Sequence, residues 1–224
     1  MNLQVRKTND GSTTLFAPEL NEHYHSVHGA LQESLHVFIK MGLEATMARL
    51  ADVRLLEVGF GTGLNALLTL QHTLVSKATV HYHTLEKYPL PLEVVNQLRF
   101  QDFILNPELL DFFQPLHAAP WQEVVSLTPH FHLLKLKVDL EAFAPAPASY
   151  DLVYFDAFAP EKQPHLWTDA IFQKLHDCLA PGGNLVTYCA KGSFKRSLKA
   201  AGFTVEALPG PPGKREMTRG VKTV

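Results

Sequence analysis

An apolar strand that runs straight into three alternating glycines, Leu55-Leu56-Glu57-Val58-Gly59-Phe60-Gly61-Thr62-Gly63, constrains this chain more than any other segment. Glycine at every second position permits a sharp turn after the strand, and the missing Cβ atoms let a ligand lie directly on the peptide groups. The spacing predicts a helix from about Thr62 that carries Leu64, Ala66, Leu67, Leu68 and Leu70 toward a sheet. A dinucleotide fingerprint would need its third glycine at the Leu64 position, so nicotinamide and flavin dinucleotides are disfavoured.

The remaining pattern alternates strands with helices. Strands are expected at Val53 to Val58, Val80 to Glu86, Phe131 to Lys137, Leu152 to Asp156 and Leu185 to Cys189, the last entered through Pro181-Gly182-Gly183. Helices are expected over Gly29 to Leu43, Leu64 to Leu74, Pro91 to Leu98, Trp121 to Val125, Leu166 to Leu179 and Ser193 to Ala201. This order predicts an α/β fold with a doubly wound, mostly parallel, Rossmann-like sheet that binds ligands at the carboxyl ends of its strands. Residues 1–28 are polar and turn-rich around Asn9-Asp10-Gly11 and form an N-terminal hairpin or arm, leaving residues 29–224 for the main domain.

Composition narrows the setting. No run approaches the ~18 apolar residues of a membrane span, and the start of the chain lacks an apolar signal core, so a cytoplasmic protein without a membrane partner is expected. Cys178 and Cys189, the two cysteines, are too few for a disulfide framework and are expected to be buried filler. Residues 191–224 hold eight Lys or Arg against two Glu, whereas the whole chain carries a formal −2. A basic end of this kind suits a polyanion, and equally suits a solvated edge.

With Glu57 two residues before Gly59, the glycine segment resembles the first motif of class I S-adenosylmethionine-dependent methyltransferases. The resemblance implies that Glu57, Gly59, Phe60, Gly61, Thr62 and Gly63 meet S-adenosyl-L-methionine. Glu86 ends the second strand, where doubly wound folds place a carboxylate for a ribose diol, and Lys87 follows it. Asp139 ends the third strand. By the same resemblance it reaches the adenine amino group, with a helix cap as the alternative.

Tyr154-Phe155-Asp156-Ala157-Phe158-Ala159-Pro160 places an acid, aromatics and a proline at the mouth of the crevice, similar to the loop of amino-group methyltransferases. A carboxylate at Asp156 can orient an amine and take its proton, and it borders the cofactor as well. The stretch from Asp156 to Thr168, then Pro181-Gly182-Gly183, Gly202-Phe203 and Gly213-Lys214-Arg215-Glu216-Met217, resembles the methyltransferase domain of the MnmC family over residues 20–220. Glu86-Lys87-Tyr88-Pro89-Leu90 and Gly29-Ala30-Leu31-Gln32-Glu33 add to it. The resemblance implies N-methylation of 5-aminomethyl-2-thiouridine at the tRNA wobble position.

The fused family member also carries an FAD-dependent oxidase domain. This chain stops just after Met217 without a dinucleotide fingerprint, so a separate FAD-dependent oxidase is the expected partner beside tRNA. Alanine stands at 157, where the family's loop commonly has glycine.

Candidate acceptor contacts are Tyr24 and His28 from the arm, Phe158, Pro160 and Trp167 around the loop, and Lys191, Lys195, Arg196, Lys214, Arg215 and Glu216 at the basic end. Lys214 and Arg215 follow the stiff Pro209-Gly210-Pro211-Pro212-Gly213 segment, and Trp167 is either a base-stacking platform or core. Histidines 23, 25 and 28 and the strand-spaced pair 81 and 83 invite a metal site, but no nearby cysteine or His-Glu-x-x-His pattern supports one and amine methylation needs no metal, so none is expected. Two alternatives stand beside the tRNA enzyme. One is a small-molecule amine methyl- or aminopropyltransferase, the other a non-catalytic module that binds the cofactor or tRNA.

Overall fold

The arm folds back on itself as β1 (Gln4–Lys7), β2 (Thr13–Ala17) and β3 (Glu22–His23), an antiparallel sheet in that order. The computed structural model describes residues 3–104 and 106–223, so Met1, Asn2, Leu105 and Val224 of the predicted segments lie outside the described residues. His25 ties the arm to the glycine turn: Nδ1 lies 3.1 Å from the Thr14 hydroxyl and Nε2 3.3 Å from that of Thr62.

The main sheet is built from β4 (Asp52–Val58), β5 (Thr79–Leu85), β6 (Val124–Thr128), β7 (Phe131–Leu136), β8 (Tyr150–Phe155), β9 (Leu179–Thr187), β10 (Thr204–Pro209) and β11 (Glu216–Val221). The described residues order it β10-β11-β9-β8-β4-β5-β7-β6, with the five strands from β9 to β7 parallel. The chain leaves β4 toward β5 on one side and returns to β8 on the other, which opens a crevice at their carboxyl ends. Register makes the three strands stop together, since Val58 pairs with both Leu85 and Phe155. Gly59, Glu86 and Asp156 therefore emerge along one rim.

Alternation along β4 feeds two cores. Leu55 packs with Phe38, Leu67, Tyr82 and Tyr154 on one face, and Leu56 packs with Val153, Phe155, Phe172 and Leu185 on the other. Each fully buried leucine contributes about 1.5–3 kcal/mol. The helix Leu64–Ser76 covers the first face together with the segment Ala30–Ser34, which continues through a wide π-helical stretch, Leu35–Glu44, into Ala45–Met47. Helices Asp169–Cys178 and Gly192–Ala200 cover the second, the former capped by the Thr168 hydroxyl on the Ile171 amide.

Several expectations are corrected. Trp121 to Val125 is not helical: Val124 begins β6, an antiparallel edge strand against β7. The segment after Pro91 is a single α turn, Leu92–Val95, followed by the 3-10 turn Asn96–Leu98. The fifth strand begins at Leu179, earlier than expected, and ends at Thr187, leaving Cys189 just beyond it. The helices Pro107–Leu110 and Phe113–Ala118 and the antiparallel pair β10–β11 were not expected. Among the described residues, no helix is long and apolar enough to cross a membrane.

Candidate active site

Gly59 leaves β4 with φ of +93°, and a Cβ there would fall 2.8 Å from the carbonyl oxygen of Asp156. Only glycine accepts both constraints, so the turn closes tightly against the neighbouring strand end. Beside it opens a cavity of about 360 Å³. Phe60, Gly61 and Thr62 form its floor, Val58, Leu85, Val138 and Leu140 its apolar walls, and Tyr24 and His25 its cover from the arm.

Three carboxylates border this space. Glu86 accepts from the Gly61 amide at 3.1 Å through one oxygen and from the Tyr88 amide at 2.8 Å through the other. Asp139 is paired with Lys87, whose charge holds its carboxyl below the usual carboxylate range, and it also accepts from the Glu141 amide at 3.2 Å. Asp139 faces the cavity, and the helix cap offered as its alternative role is replaced by the cap of a turn, since no helix follows it. Asp156 accepts from Asn65 Nδ2 at 2.8 Å. Burial, with the charge of Glu33, pushes its carboxyl up to about 7, while Asn65 and Lys214 act in the opposite direction.

The loop after β8 is a shared wall. Asp156, Ala157 and Phe158 face the first cavity, whereas Ala159 and Pro160 face a second, more open one of about 520 Å³. Tyr188, Lys191, Lys214, Arg215 and Glu216 complete the second cavity. The loop is fixed by hydrogen bonds from Tyr188 to Ala157 O (2.8 Å) and from Trp167 Nε1 to Phe158 O (2.8 Å), and from the Phe158 amide to Gln163 (2.9 Å).

The predicted contacts divide accordingly. Phe60, Gly61, Thr62, Glu86, Lys87, Asp139 and Asp156 gather at the first cavity with Gly59, Tyr24 and Phe158, and Pro160, Lys191, Lys214, Arg215 and Glu216 gather at the second. Gly63, with φ of +75°, starts the helix behind the floor.

Five side chains fall elsewhere. Glu57 is 0% exposed beneath the floor and reaches neither cavity. Trp167 is 9% exposed, packed edge-on against Phe155 and Phe194, so it braces the loop and offers no face to a base. Lys195 is spent on Glu216 at 2.7 Å, and Arg196 is exposed on its helix away from both cavities. His28 lies outside both linings, with its ring against Gly213.

Half of the eight basic side chains of residues 191–224, Lys195 among them, are paired with acids. Lys191 pairs with Glu161, Lys214 with Glu33 and Arg219 with Glu206, and Lys222 donates to the carbonyls of His176 and Leu179. Arg196, Lys199 and Arg215 are exposed and carry no ion pair among the described residues. Sequence reasoning missed Asn65 and Glu33, the partners of Asp156 and Lys214. A polar residue on the otherwise apolar start of a helix was the one available signal for Asn65. Among the described residues, no three His, Cys, Asp or Glu side chains gather as a metal ion would require.

Comparisons with known proteins agree with this geometry. The family model described as S-adenosyl-L-methionine-dependent methyltransferase matches residues 108–223. A relative from Cupriavidus necator is 33% identical over 218 residues, and one from Pseudomonas fluorescens is 35% identical over 213. Both are named tRNA 5-methylaminomethyl-2-thiouridine biosynthesis bifunctional protein MnmC; they match 91% and 88% of this chain, which spans 32% of each. The crystal structure of MNMC2 from Aquifex aeolicus superposes with a TM-score of 0.76 at 29% identity, covering 98% of this chain and 70% of that one. Spermidine synthase from Thermotoga maritima shares the fold, with a TM-score of 0.55 at 14% identity over 98% of this chain and 71% of that one.

The residues present fit S-adenosyl-L-methionine. A cavity of about 360 Å³ offers side-chain-free peptide at Gly59, carboxylates suited to a diol and an exocyclic amine, and apolar walls suited to a purine. With the family model matching just over half its length, the chain belongs to the S-adenosyl-L-methionine-dependent methyltransferases.

Proposed function

We propose that this protein methylates the primary amine of 5-aminomethyl-(2-thio)uridine at the tRNA wobble position, giving the 5-methylaminomethyl nucleoside. Residues 3–28 act as an arm that covers the methyltransferase domain, and a cytoplasmic setting follows from a tRNA substrate. The observation that carries this reading is the shared loop wall, which sets Asp156 on the cofactor side and Lys214 and Arg215 across from it. The names of the relatives support the choice of nucleoside.

When bound, S-adenosyl-L-methionine supplies a methyl group on a sulfonium sulfur, which keeps the bonding electron pair as a neutral thioether. Glu86 holds the ribose diol, Asp139 the adenine edge, and Phe60 to Thr62 the floor. The acceptor comes over the loop from the basic cavity, where Arg215 meets phosphate and Pro160 borders the uracil.

An alkylamine is mostly protonated at neutral pH. Asp156 accepts N–H bonds from the amine, aims its lone pair and takes a proton as the N–C bond forms. A carboxyl raised to about 7 is a better base than an exposed aspartate. Lys214, held by Glu33 and lying 4.2 Å from the Tyr188 ring centroid, adds a fixed positive charge that disfavours the ammonium form of the amine. An FAD-dependent oxidase activity removes a carboxymethyl group from the tRNA beforehand.

The test is Asp156→Asn. Turnover on tRNA bearing the primary amine should fall by about 10², with S-adenosyl-L-methionine affinity by calorimetry unchanged. Full activity would remove Asp156 from the role.

A further inference from the structure

Beneath Asp156 runs a buried polar chain. Glu57 on β4 accepts the Thr84 hydroxyl on Oε2 at 2.7 Å. Its Oε1, Asn65 Oδ1 and the Tyr82 hydroxyl are all buried and unpartnered, and the Asn65 and Tyr82 side chains are neighbours of the Glu57 carboxyl. Each orphaned polar atom loses its hydration without a replacement partner. One proton removes the deficit. As a neutral acid, Glu57 donates its O–H to Asn65 Oδ1, and Tyr82 donates to the Glu57 carboxyl.

The chemistry of the amide makes the same demand. Asn65 has one donating end and one accepting end, and it stands between two carboxyls. Its accepting end, Oδ1, is buried without a partner, and an acid can satisfy that end only if the acid carries a proton. The NH2 group faces Asp156 at 2.8 Å, so the carbonyl is left for Glu57. Glu57 is also the more deeply buried of the two acids, where charge costs most.

We propose that Glu57 is a positioning residue that stays protonated in the working protein, locking Asn65 so that its NH2 keeps Asp156 ionised and aimed. The inference rests on Asp156 as the group that meets the acceptor amine, and gives the acidic residue of the glycine motif a task away from the cofactor. Among the described residues, no cation stands beside Glu57. Thr84 and Tyr82 face it from β5, Tyr154 from β8, Asn65 from the helix Leu64–Ser76 and Asp156 from the end of β8. Burial, together with the Asp156 charge, pushes Glu57 up to about 8 despite the hydrogen bonds of Thr84, Tyr82 and Asn65.

Carboxyl 13C NMR of the full chain, labelled at Glu and Asp, tests this with Glu57→Gln and Glu57→Leu. In the unsubstituted protein the signal lost in Glu57→Gln should have the shift of a protonated carboxyl at neutral pH, while Asp156 titrates as a separate step. Glu57→Gln keeps a donor for Asn65 and should preserve the Asp156 midpoint. Glu57→Leu should raise that midpoint and lower kcat about tenfold, and the glutamine variant should recover most of the loss. A carboxylate signal from Glu57, or a glutamine variant as impaired as the leucine one, overturns the proposal. The NMR pattern expected here, found in a protein that methylates no tRNA amine, would uphold the proton placement and overturn the acceptor assignment.

Discussion

The hydroxyl of Tyr188 donates to the carbonyl oxygen of Ala157 across 2.8 Å, so the residue beside Asp156 is fixed from just beyond the end of β9. Tyr188→Phe deletes this bond and leaves the ring beneath Lys214. Loosening a catalytic loop costs orientation more than binding, so kcat should fall about tenfold. Single-turnover kinetics paired with calorimetry check this; an unchanged rate would show that Trp167 and Gln163 hold the loop without Tyr188.

Gly59 is the tightest point of the floor. A Cβ there meets backbone at 2.8 Å and carries φ of +93°, so Gly59→Ala should destabilise the fold by about 1–3 kcal/mol. At Gly61 the obstacle is the Tyr24 ring at 3.2 Å, a side chain that can move, at φ of +50°. Gly61→Val should abolish S-adenosyl-L-methionine binding with a smaller loss of Tm. Calorimetric titration and thermal melts separate the two.

Glu57 rises from an ordinary 4.5 to about 8 and Asp156 from 3.8 to about 7, both chiefly through burial. The folded protein then holds protons that the unfolded chain releases over roughly pH 4 to 8. The stabilisation from these acids is complete below their unfolded values and is lost as pH rises through the folded ones. Relative to the unsubstituted protein, Asp156→Asn should gain Tm between about pH 5 and pH 8. Turnover runs the other way and should rise through about pH 7, as the carboxylate forms. A Tm difference independent of pH would contradict the assignment.

Arg215 is exposed and unpaired among the described residues, whereas Lys214 shares an ion pair with a Glu33 side chain that is 8% exposed. Arg215→Ala should weaken tRNA binding, reduce its salt slope by about 1, and leave Tm unchanged. Lys214→Ala strands a buried carboxylate and should lower both Tm and turnover. Filter binding across a salt series, with melts, distinguishes a phosphate contact from a structural pair.

Much of the site was legible because its parts are contiguous. Leu55 to Gly63 and Asp156 to Pro160 each occupy one run of sequence, and Glu86 follows at the end of the next strand. Pairs that close through space left no such trace: Lys214 and Glu33 are 181 positions apart, and Asn65 meets Asp156 across 91. Strand β6, Val-Val-Ser-Leu-Thr, is a short edge strand exposed on one face, with too little alternation to be told from a helical turn. Trp167 was ambiguous for a physical reason, since an indole at a helix start serves equally as platform or as core. Its packing against Phe155 and Phe194 comes from β8 and a distant helix.

The central claim is methyl transfer to a nucleoside amine, and the most direct measurement follows labelled methyl from S-adenosyl-L-methionine into tRNA carrying 5-aminomethyl-2-thiouridine. The product is digested and its nucleosides are weighed by mass spectrometry. A labelled 5-methylaminomethyl nucleoside, lost in Asp156→Asn, is the expected result. An unlabelled nucleoside pool, from protein shown by calorimetry to bind S-adenosyl-L-methionine, would contradict it.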